Sequence, residues 1–344
     1  MKLLLFTDAW FPQINGVVRA LSNTVKQLEL MGYEVLVVEP SLFSNIPCPL
    51  YPEIRLAFPK AKALNRIIDE FKPDSLHIAT EGPIGLRARS VLNRRELNYT
   101  TSFHTLFPEY LRKMILFPER PGWSFLRWFH STSSAVMVPT PSIQEKLEKL
   151  GFSNLQIWGR GIDLEHFSPM EREQEGHKLP IYMYVGRVSK EKNIEAFLKL
   201  DLNGTKIVVG DGPQRKSLER EWKDTQFWGY RTGPDLARAY SQADVMVFPS
   251  RTDTFGNVIL ESLACGTPVA AFPVHGPKDI LVDSRLGSCN KELATAINEA
   301  LLRGNREYCS TYAAGFTWNN STEVFSNLLV PSQSMRSKQT VLAS

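Results

Sequence analysis

At 344 residues the chain is too long for one ordinary hydrophobic core and fits two domains. Hydrophobic residues make up 43% and charged residues 22%, a soluble globular composition, and no apolar run approaches the roughly 20 residues needed to cross a bilayer. The net charge of +4 says little by itself, but 13 Lys/Arg against 7 Asp/Glu fall between Arg55 and Arg127, a region of net +6 that suits an anionic surface, nucleic acid or plain solvent.

The apolar run KLLLFTDA (2–9) reads as a buried first strand; no small-residue cleavage site follows it, so it is not read as a signal peptide. A Pro/Asn/Gly loop, 11–16, leads into an amphipathic segment, 17–32, closed by Gly32, and YEVLVVEP (33–40) is the next strand. This order predicts a parallel βαβ unit. The pattern continues with helices near 61–71 and 84–95 and strands at 75–80, 99–104, 135–140 and 155–161. His77 falls inside a strand and is expected to be a satisfied core residue. The segment 107–131 mixes aromatics with Arg and Lys, and WSFLRWFH within it forms a helix with one aromatic face. That face suits a membrane interface or packing inside the domain, and the adjacent Arg87, Arg89, Arg94 and Arg95 favour the surface.

The polar stretch 171–180 reads as the linker. Strands follow at 181–188, 206–212, 225–230, 244–250 and 267–272, with helices between them. The fold class is therefore α/β, with two Rossmann-like doubly wound domains at 1–170 and 171–315. A helix in 316–330 crosses back to the first domain, and 331–344 reads as a disordered tail. The four cysteines are scattered without metal spacing, as in reduced cytosolic thiols.

Ligands of such sheets bind beyond the carboxyl ends of the strands. The unusual residues stand at such ends: Asp8 to Gly16, Glu81 to Pro83, His104, Gly186 and Arg187, Gly210 to Gly212, and Asp253 to Asn257. A cleft between the domains is expected to collect them. Phe255, Gly256 and Asn257 form a tight turn, with Asn257 as N-cap of a helix from Val258 to Gly266. The start of that helix is an anion site, with Asp253 just before it and Glu261 about 6 Å inside. The two carboxylates suit hydroxyls on either side of a bound diphosphate, or serve as an ordinary cap and a surface charge. Arg187, Lys190 and Lys192, between a strand end and a helix start, suit phosphate oxygens.

The ordered set VGRVSKEKN (185–193), VVGDGP (208–213), FWGY (227–230), LARAYSQADVMVFPS (236–250) and DTFGNVILESLACGTPV (253–269) resembles the retaining GT-B glycosyltransferases of family 4. DAWFPQINGVVRAL (8–21) and TSFHTLFPEYL (101–111) resemble the acceptor-side half of the same family, especially its glycolipid mannosyltransferases and sulfolipid synthases. The resemblance spans roughly 1–330. The family signature Glu-x7-Glu stands here as Asp253-x7-Glu261, which keeps the charge and shortens the first reach by a methylene.

The resemblance implies that Asp253 holds hydroxyls of the donor sugar and Glu261 those of the ribose. Backbone N–H groups of Phe255, Gly256 and Asn257 hold sugar and phosphate, Gly186 and Asp211 complete the donor wall, and Arg187 with Lys192 neutralise the departing diphosphate. Asn15 and Gly16 approach the donor from the other half. His104 contacts the donor sugar or the reacting centre, and Glu81 faces the acceptor. The donor is a nucleotide diphosphate sugar, GDP-mannose or a UDP-hexose, its base contacted near Phe227 to Tyr230. The acceptor is a lipid or glycan hydroxyl, and no cofactor, metal or nucleic acid is implied. The enzyme is expected in the cytoplasm, peripheral on the inner face of the membrane. A nucleotide-sugar epimerase of the same fold, a non-catalytic sugar-nucleotide sensor and a basic RNA-binding protein are the alternative readings.

Overall fold

The computed structural model describes residues 1–13, 15–48, 54–109, 112, 118–172 and 179–333. The chain splits into two compact units, one of Met1–Pro108, Phe117–Arg160 and Trp318–Ser344, the other of Glu109–Leu116 and Gly161–Thr317.

In the first unit the strands are β1 (Lys2–Phe6), β2 (Glu34–Val38), β3 (Asn45–Pro47), β4 (Arg55–Ala57), β5 (Ser75–Ile78), β6 (Thr100–Ser102), β7 (Ala135–Val138) and β8 (Leu155–Ile157). Six of them form a sheet in the order β2-β1-β5-β6-β7-β8, every pair parallel, and β3 and β4 make a separate antiparallel hairpin. Side chains alternate across a strand, so KLLLF feeds two cores. Leu4 and Phe6 pack with Leu64, Ile68, Ile84 and Leu92 of the helices Ala61–Phe71 and Pro83–Arg94. Leu3 and Leu5 pack with Leu21, Val25 and Leu28 of the helix Gly16–Leu30 and Phe325 of the helix Trp318–Leu328. A strand buried on both faces explains why the sequence shows a continuous apolar run there rather than alternation.

Local signals set the helix ends. Asn15 Oδ1 accepts from the N–H groups of Val17 and Val18 and caps the first helix. At its far end Gly32 takes φ +83°, and the N–H groups of Gly32 and Tyr33 bond to the carbonyls of Glu29 and Leu28. That is the paired-bond ending which a glycine after the last turn permits.

In the second unit the strands are β9 (Ile181–Val185), β10 (Thr205–Val209), β11 (Thr225–Gly229), β12 (Val245–Phe248), β13 (Val269–Ala271) and β14 (Gly287–Cys289). They form one parallel sheet ordered β11-β10-β9-β12-β13-β14. The chain runs outward from β9 to β11 on one side and returns at β12 to run outward on the other. The carboxyl ends of β9 and β12 therefore flank the topological switch point.

The units change over at Arg160 and Gly161, before the polar 171–180 stretch expected as the linker. The reason is apolar: Ile162 and Phe167 are buried in the core of the second unit, with Leu164 and Met170 against it. Residues 173–178 of that stretch and 334–344 of the expected tail lie outside the described residues. The helix Trp318–Leu328 clusters with the first unit.

Candidate functional site

In the second unit the loop after β9 carries Gly186, Arg187 and Lys192. Gly186 takes φ +149°, and a Cβ there would lie 2.9 Å from the Tyr184 hydroxyl. That hydroxyl instead donates to the Arg187 carbonyl at 2.8 Å and fixes the turn, with the Arg187 side chain exposed. Gly210, at the end of β10, admits no side chain at all, since its Cβ would fall 1.9 Å from the Gly186 carbonyl oxygen. The backbones of the two strand ends thus meet directly.

Lys192 ends a short 3₁₀ turn, Lys190–Lys192, stopped by Asn193 in the left-handed region at φ 56°. The Asn193 amide donates to the Pro249 carbonyl at 2.9 Å and staples the β9 loop to the end of β12. The staple carries Lys192 Nζ to 2.5 Å from Asp253 Oδ1. The other carboxylate oxygen, Oδ2, is buried without a hydrogen-bond partner, as is the nearby Ser250 hydroxyl. Burial pushes the Asp253 carboxyl up, but the charge and hydrogen bond of Lys192 outweigh it and hold the group below the usual carboxylate range. Asp253 is therefore an ionised carboxylate with an unfilled oxygen, held against a cation.

The helix that follows is Asn257–Ala264, and its N-cap is Gly256 at φ 91°, not Asn257 as expected. Phe255 is buried in the core and fixes the turn from inside. A Cβ on Gly276 would fall 2.3 Å from the Phe255 carbonyl, so the segment after β13 closes on the same turn. Gly256 brings no side-chain cap to this helix, and among the described residues its first N–H groups stand as anion donors. Glu261, one turn in, is only 4% exposed, and its Oε2 accepts from the Tyr240 hydroxyl at 2.9 Å.

Asp211 stands in the turn after β10. Its carboxylate accepts from its neighbour Gly212 N–H at 2.7 Å and from Arg215 Nη1 at 3.1 Å, so the side chain shapes its own turn. The Gly212 bond is the main cause that holds its carboxyl low. Beyond β11, Gly229 takes φ +73°, Tyr230 is exposed, and the Arg231 guanidinium lies 5.1 Å from the Trp228 ring centre.

In the first unit the corresponding strand ends carry Asp8, Glu81, His104 and Arg160. Asp8 follows β1 and is buried. Its carboxylate accepts from Ile84 N–H at 2.8 Å, Thr80 Oγ1 at 2.9 Å and Gly85 N–H at 3.3 Å, and so caps the helix Pro83–Arg94 from another element. Burial nevertheless lifts its carboxyl to about 6. Glu81 pairs with buried His130, Oε1 to Nε2 at 3.3 Å, and His130 Nδ1 meets Thr101 Oγ1 at 2.9 Å. His77 is the satisfied core residue expected, with Thr100 on Nδ1 and Ser102 on Nε2. Asn15 and Gly16 are exposed at the start of the first helix.

His104 follows β6 and is buried. Its Nδ1 receives a hydrogen bond from Arg160 Nη2 at 2.9 Å, and its ring sits edge-on to Trp158, centroids 5.8 Å apart. Burial first, then the positive charge of Arg160 and the neighbouring His77 and His130, drive the His104 imidazole well below its ordinary value. Arg160, His130 and Tyr240 were not singled out as site residues from the sequence. Their only sequence signal is a position just past a strand or on a helix bordering these ends.

The aromatic helix, Glu119–His130, divides its rings. Trp123, Leu126 and Phe129 are buried, whereas Phe125 and Trp128 are exposed. Arg89 lies 3.9 Å from the Trp128 ring centre and donates to the Trp128 and Phe129 carbonyls at the helix end.

Comparison with known proteins covers most of the chain. The family model described as glycosyl transferases group 1 matches residues 180–303, and the one described as glycosyltransferase family 4 matches residues 14–166. The chain is 29% identical over 317 residues to the sulfoquinovosyl transferase of Arabidopsis thaliana, covering 83% of this chain and 62% of that protein. It is 26% identical over 314 residues to a GDP-mannose-dependent α-mannosyltransferase of Mycobacterium tuberculosis, covering 83% of each. Among solved structures, sucrose-phosphate synthase from Thermosynechococcus elongatus aligns over 100% of both chains with a TM-score of 0.75 at 19% identity, a likeness of fold.

Proposed function

The chain belongs to the family 4 glycosyltransferases, and from that premise we propose that it is a retaining hexosyltransferase. It moves a hexosyl group, mannose favoured, from a nucleotide diphosphate sugar to a hydroxyl of a glycolipid or lipid-linked glycan. The observation that carries the reading is the Lys192–Asp253 pair at the switch point, with the buried Asp253 Oδ2 unfilled beside the helix start at Gly256.

Asp253 Oδ2 accepts from hydroxyls of the donor sugar. The N–H groups at Gly256 and Asn257 hold the phosphate, and Glu261, oriented by Tyr240, holds the ribose. Lys192 and Arg187 stabilise the negative charge that grows on the diphosphate as the sugar C1–O bond breaks. Charges placed before the reaction, where charge develops, lower the barrier. This is how the chain dispenses with a metal ion. Asp211 keeps the shape of the Gly210–Gly212 turn, and the surface near Trp228 and Tyr230 receives the base.

Within the first unit, His104 is assigned to donate to a substrate hydroxyl, Glu81 to orient the acceptor hydroxyl, and Asn15 and Gly16 to the substrate-facing start of the first helix. A double displacement needs a nucleophilic carboxylate about 5 Å from its partner. In the front-face alternative adopted here, the acceptor oxygen bonds to C1 on the side the phosphate leaves, and its proton passes to the leaving phosphate oxygen. Exposed Phe125 and Trp128, with the basic residues near them, bring the enzyme to an anionic membrane where a lipid acceptor resides. Among the described residues no helix is long and apolar enough to cross a membrane.

The test is transfer of labelled hexose from GDP-mannose and from UDP-hexoses to lipid extracts, wild type against Asp253→Ala. Retained transfer in the variant contradicts the site, and release of a free epimer without acceptor contradicts the reaction.

A further inference from the structure

We propose that Arg160 is a positioning residue for the transfer reaction. By donating to His104 Nδ1 it keeps that imidazole neutral, with its single proton on Nε2, so that His104 acts as a hydrogen-bond donor and never as the base. The inference rests on the reading of His104 as a group that touches substrate.

The argument is one of bond direction. A guanidinium carries only donors. The 2.9 Å contact from Arg160 Nη2 can therefore form only with an unprotonated Nδ1. A neutral imidazole holds one N–H, which must then be on Nε2. Protonating Nδ1 would set N–H against N–H and two positive charges side by side. A general base needs a nitrogen with an available lone pair within reach of the proton it takes. In this arrangement Nδ1 is occupied and Nε2 already carries hydrogen. The acceptor proton must go elsewhere, which agrees with its passage to the leaving phosphate oxygen.

Arg160 is itself held rigidly. Its Nη1 donates to the Trp158 carbonyl at 3.1 Å and the Gly159 carbonyl at 3.4 Å, and its guanidinium lies 4.5 Å from the Trp158 ring centre. From behind, Ser321 donates to the Gly159 carbonyl at 3.0 Å and Phe325 packs on Trp158. No carboxylate among the described residues pairs with Arg160, although it is 6% exposed. A buried cation without a counter-ion costs stability that an apolar side chain would avoid. Fixing the histidine supplies a reason for its presence. The other titratable groups that bear on His104 do not undo this effect. His77 comes from β5, and His130, from the helix Glu119–His130, is already paired with Glu81.

The test combines a spectrum with a cycle of variants. In protein labelled with ¹⁵N in its histidine rings, His104 is expected to show a bare Nδ1 and a protonated Nε2 that stay unchanged from about pH 8 to about 5, the span over which free histidine titrates. In Arg160→Met the His104 signals titrate and kcat/KM gains an acid limb absent from the wild type. Arg160→Lys, which keeps a donor, restores part of the wild-type profile. Arg160→Met costs roughly tenfold or more in kcat in the wild-type background and no more than about twofold in His104→Ala, because the two residues act as one unit.

A wild-type His104 that is protonated on Nδ1 overturns the proposal, whether or not the Arg160 variants fold. Equal losses with and without His104 overturn it too, since Arg160 would then be only structural. Full turnover in His104→Ala overturns both the proposal and the reading of His104, while leaving the donor site at Asp253 intact.

Discussion

Asp253 concentrates the chemistry at the scale of single residues. One oxygen is held by Lys192 at 2.5 Å and the other is buried without a partner. Loss of such a preplaced group should cost roughly 100-fold or more in kcat. We expect Asp253→Ala to show that loss with its melting temperature little changed, and Asp253→Glu, which restores the family's longer acid, to retain most activity. A steady-state comparison of the two variants decides the matter. Buried histidines make a second prediction. Burial lowers His77 to about 3, and His104 is lowered as well, so between their native values and about 6.5 the unfolded chain binds more protons than the folded one. Asp8, raised to about 6, works in the opposite direction below that pH. These three groups make stability fall from about pH 6.5 downward. Below about pH 6 the net is about one proton, or about 1.4 kcal/mol per pH unit. Denaturant melts at a series of pH values should show this slope, and His77→Gln should flatten it. An unchanged slope in His77→Gln would count against the buried-histidine account.

At the scale of elements, the site depends on short connections that hold strand ends together. The Asn193 amide joins the β9 loop to the end of β12. Asn193→Ala removes that hydrogen bond and places a Cβ residue without a local partner in the left-handed region, each costing about 1 kcal/mol. We expect a loss of about 2 kcal/mol in stability and a larger drop in donor affinity than in acceptor affinity, read by calorimetry and by the two KM values. Equal effects on both substrates would show that the staple does not serve the donor loop. The alternation of strands and helices was legible because each element carries its own apolar period, and the strand ends pointed to Gly186, His104 and Asp253. The cap at Gly256 was not legible. Gly256 and Asn257 both suit a helix start, and the choice follows from Phe255 being buried and Gly276 pressing on its carbonyl. The Arg160–His104 and His130–Glu81 pairs were hidden for another reason. Their members lie 56 and 49 residues apart and meet only through the sheet and helix packing of the first unit. The unit boundary at Gly161 was hidden by composition, since the polar stretch drew the eye past the buried Ile162 and Phe167.

For the whole molecule, each unit has its own parallel sheet and its own buried cores, and the donor chemistry gathers in one of them. A nucleotide at 100 times its Kd should then stabilise the second unit by about 2.7 kcal/mol. Hydrogen exchange should slow at the Gly186–Asn193, Gly210–Gly212 and Asp253–Asn257 segments, with the first sheet little affected. The exposed aromatic pair predicts a second behaviour. Phe125→Ser should weaken binding to anionic vesicles, and salt should weaken the remainder, as sedimentation with phosphatidylglycerol vesicles would measure. Unaltered binding would remove that helix from the membrane account. The central claim, a donor site built from Lys192, Asp253 and the helix start at Gly256, is tested most directly by calorimetric titration with GDP and UDP in the presence of EDTA. The account predicts micromolar binding of one of the two, unaffected by the chelator and lost in Lys192→Ala. Binding that requires a divalent metal, or that persists unchanged in Lys192→Ala, would contradict it.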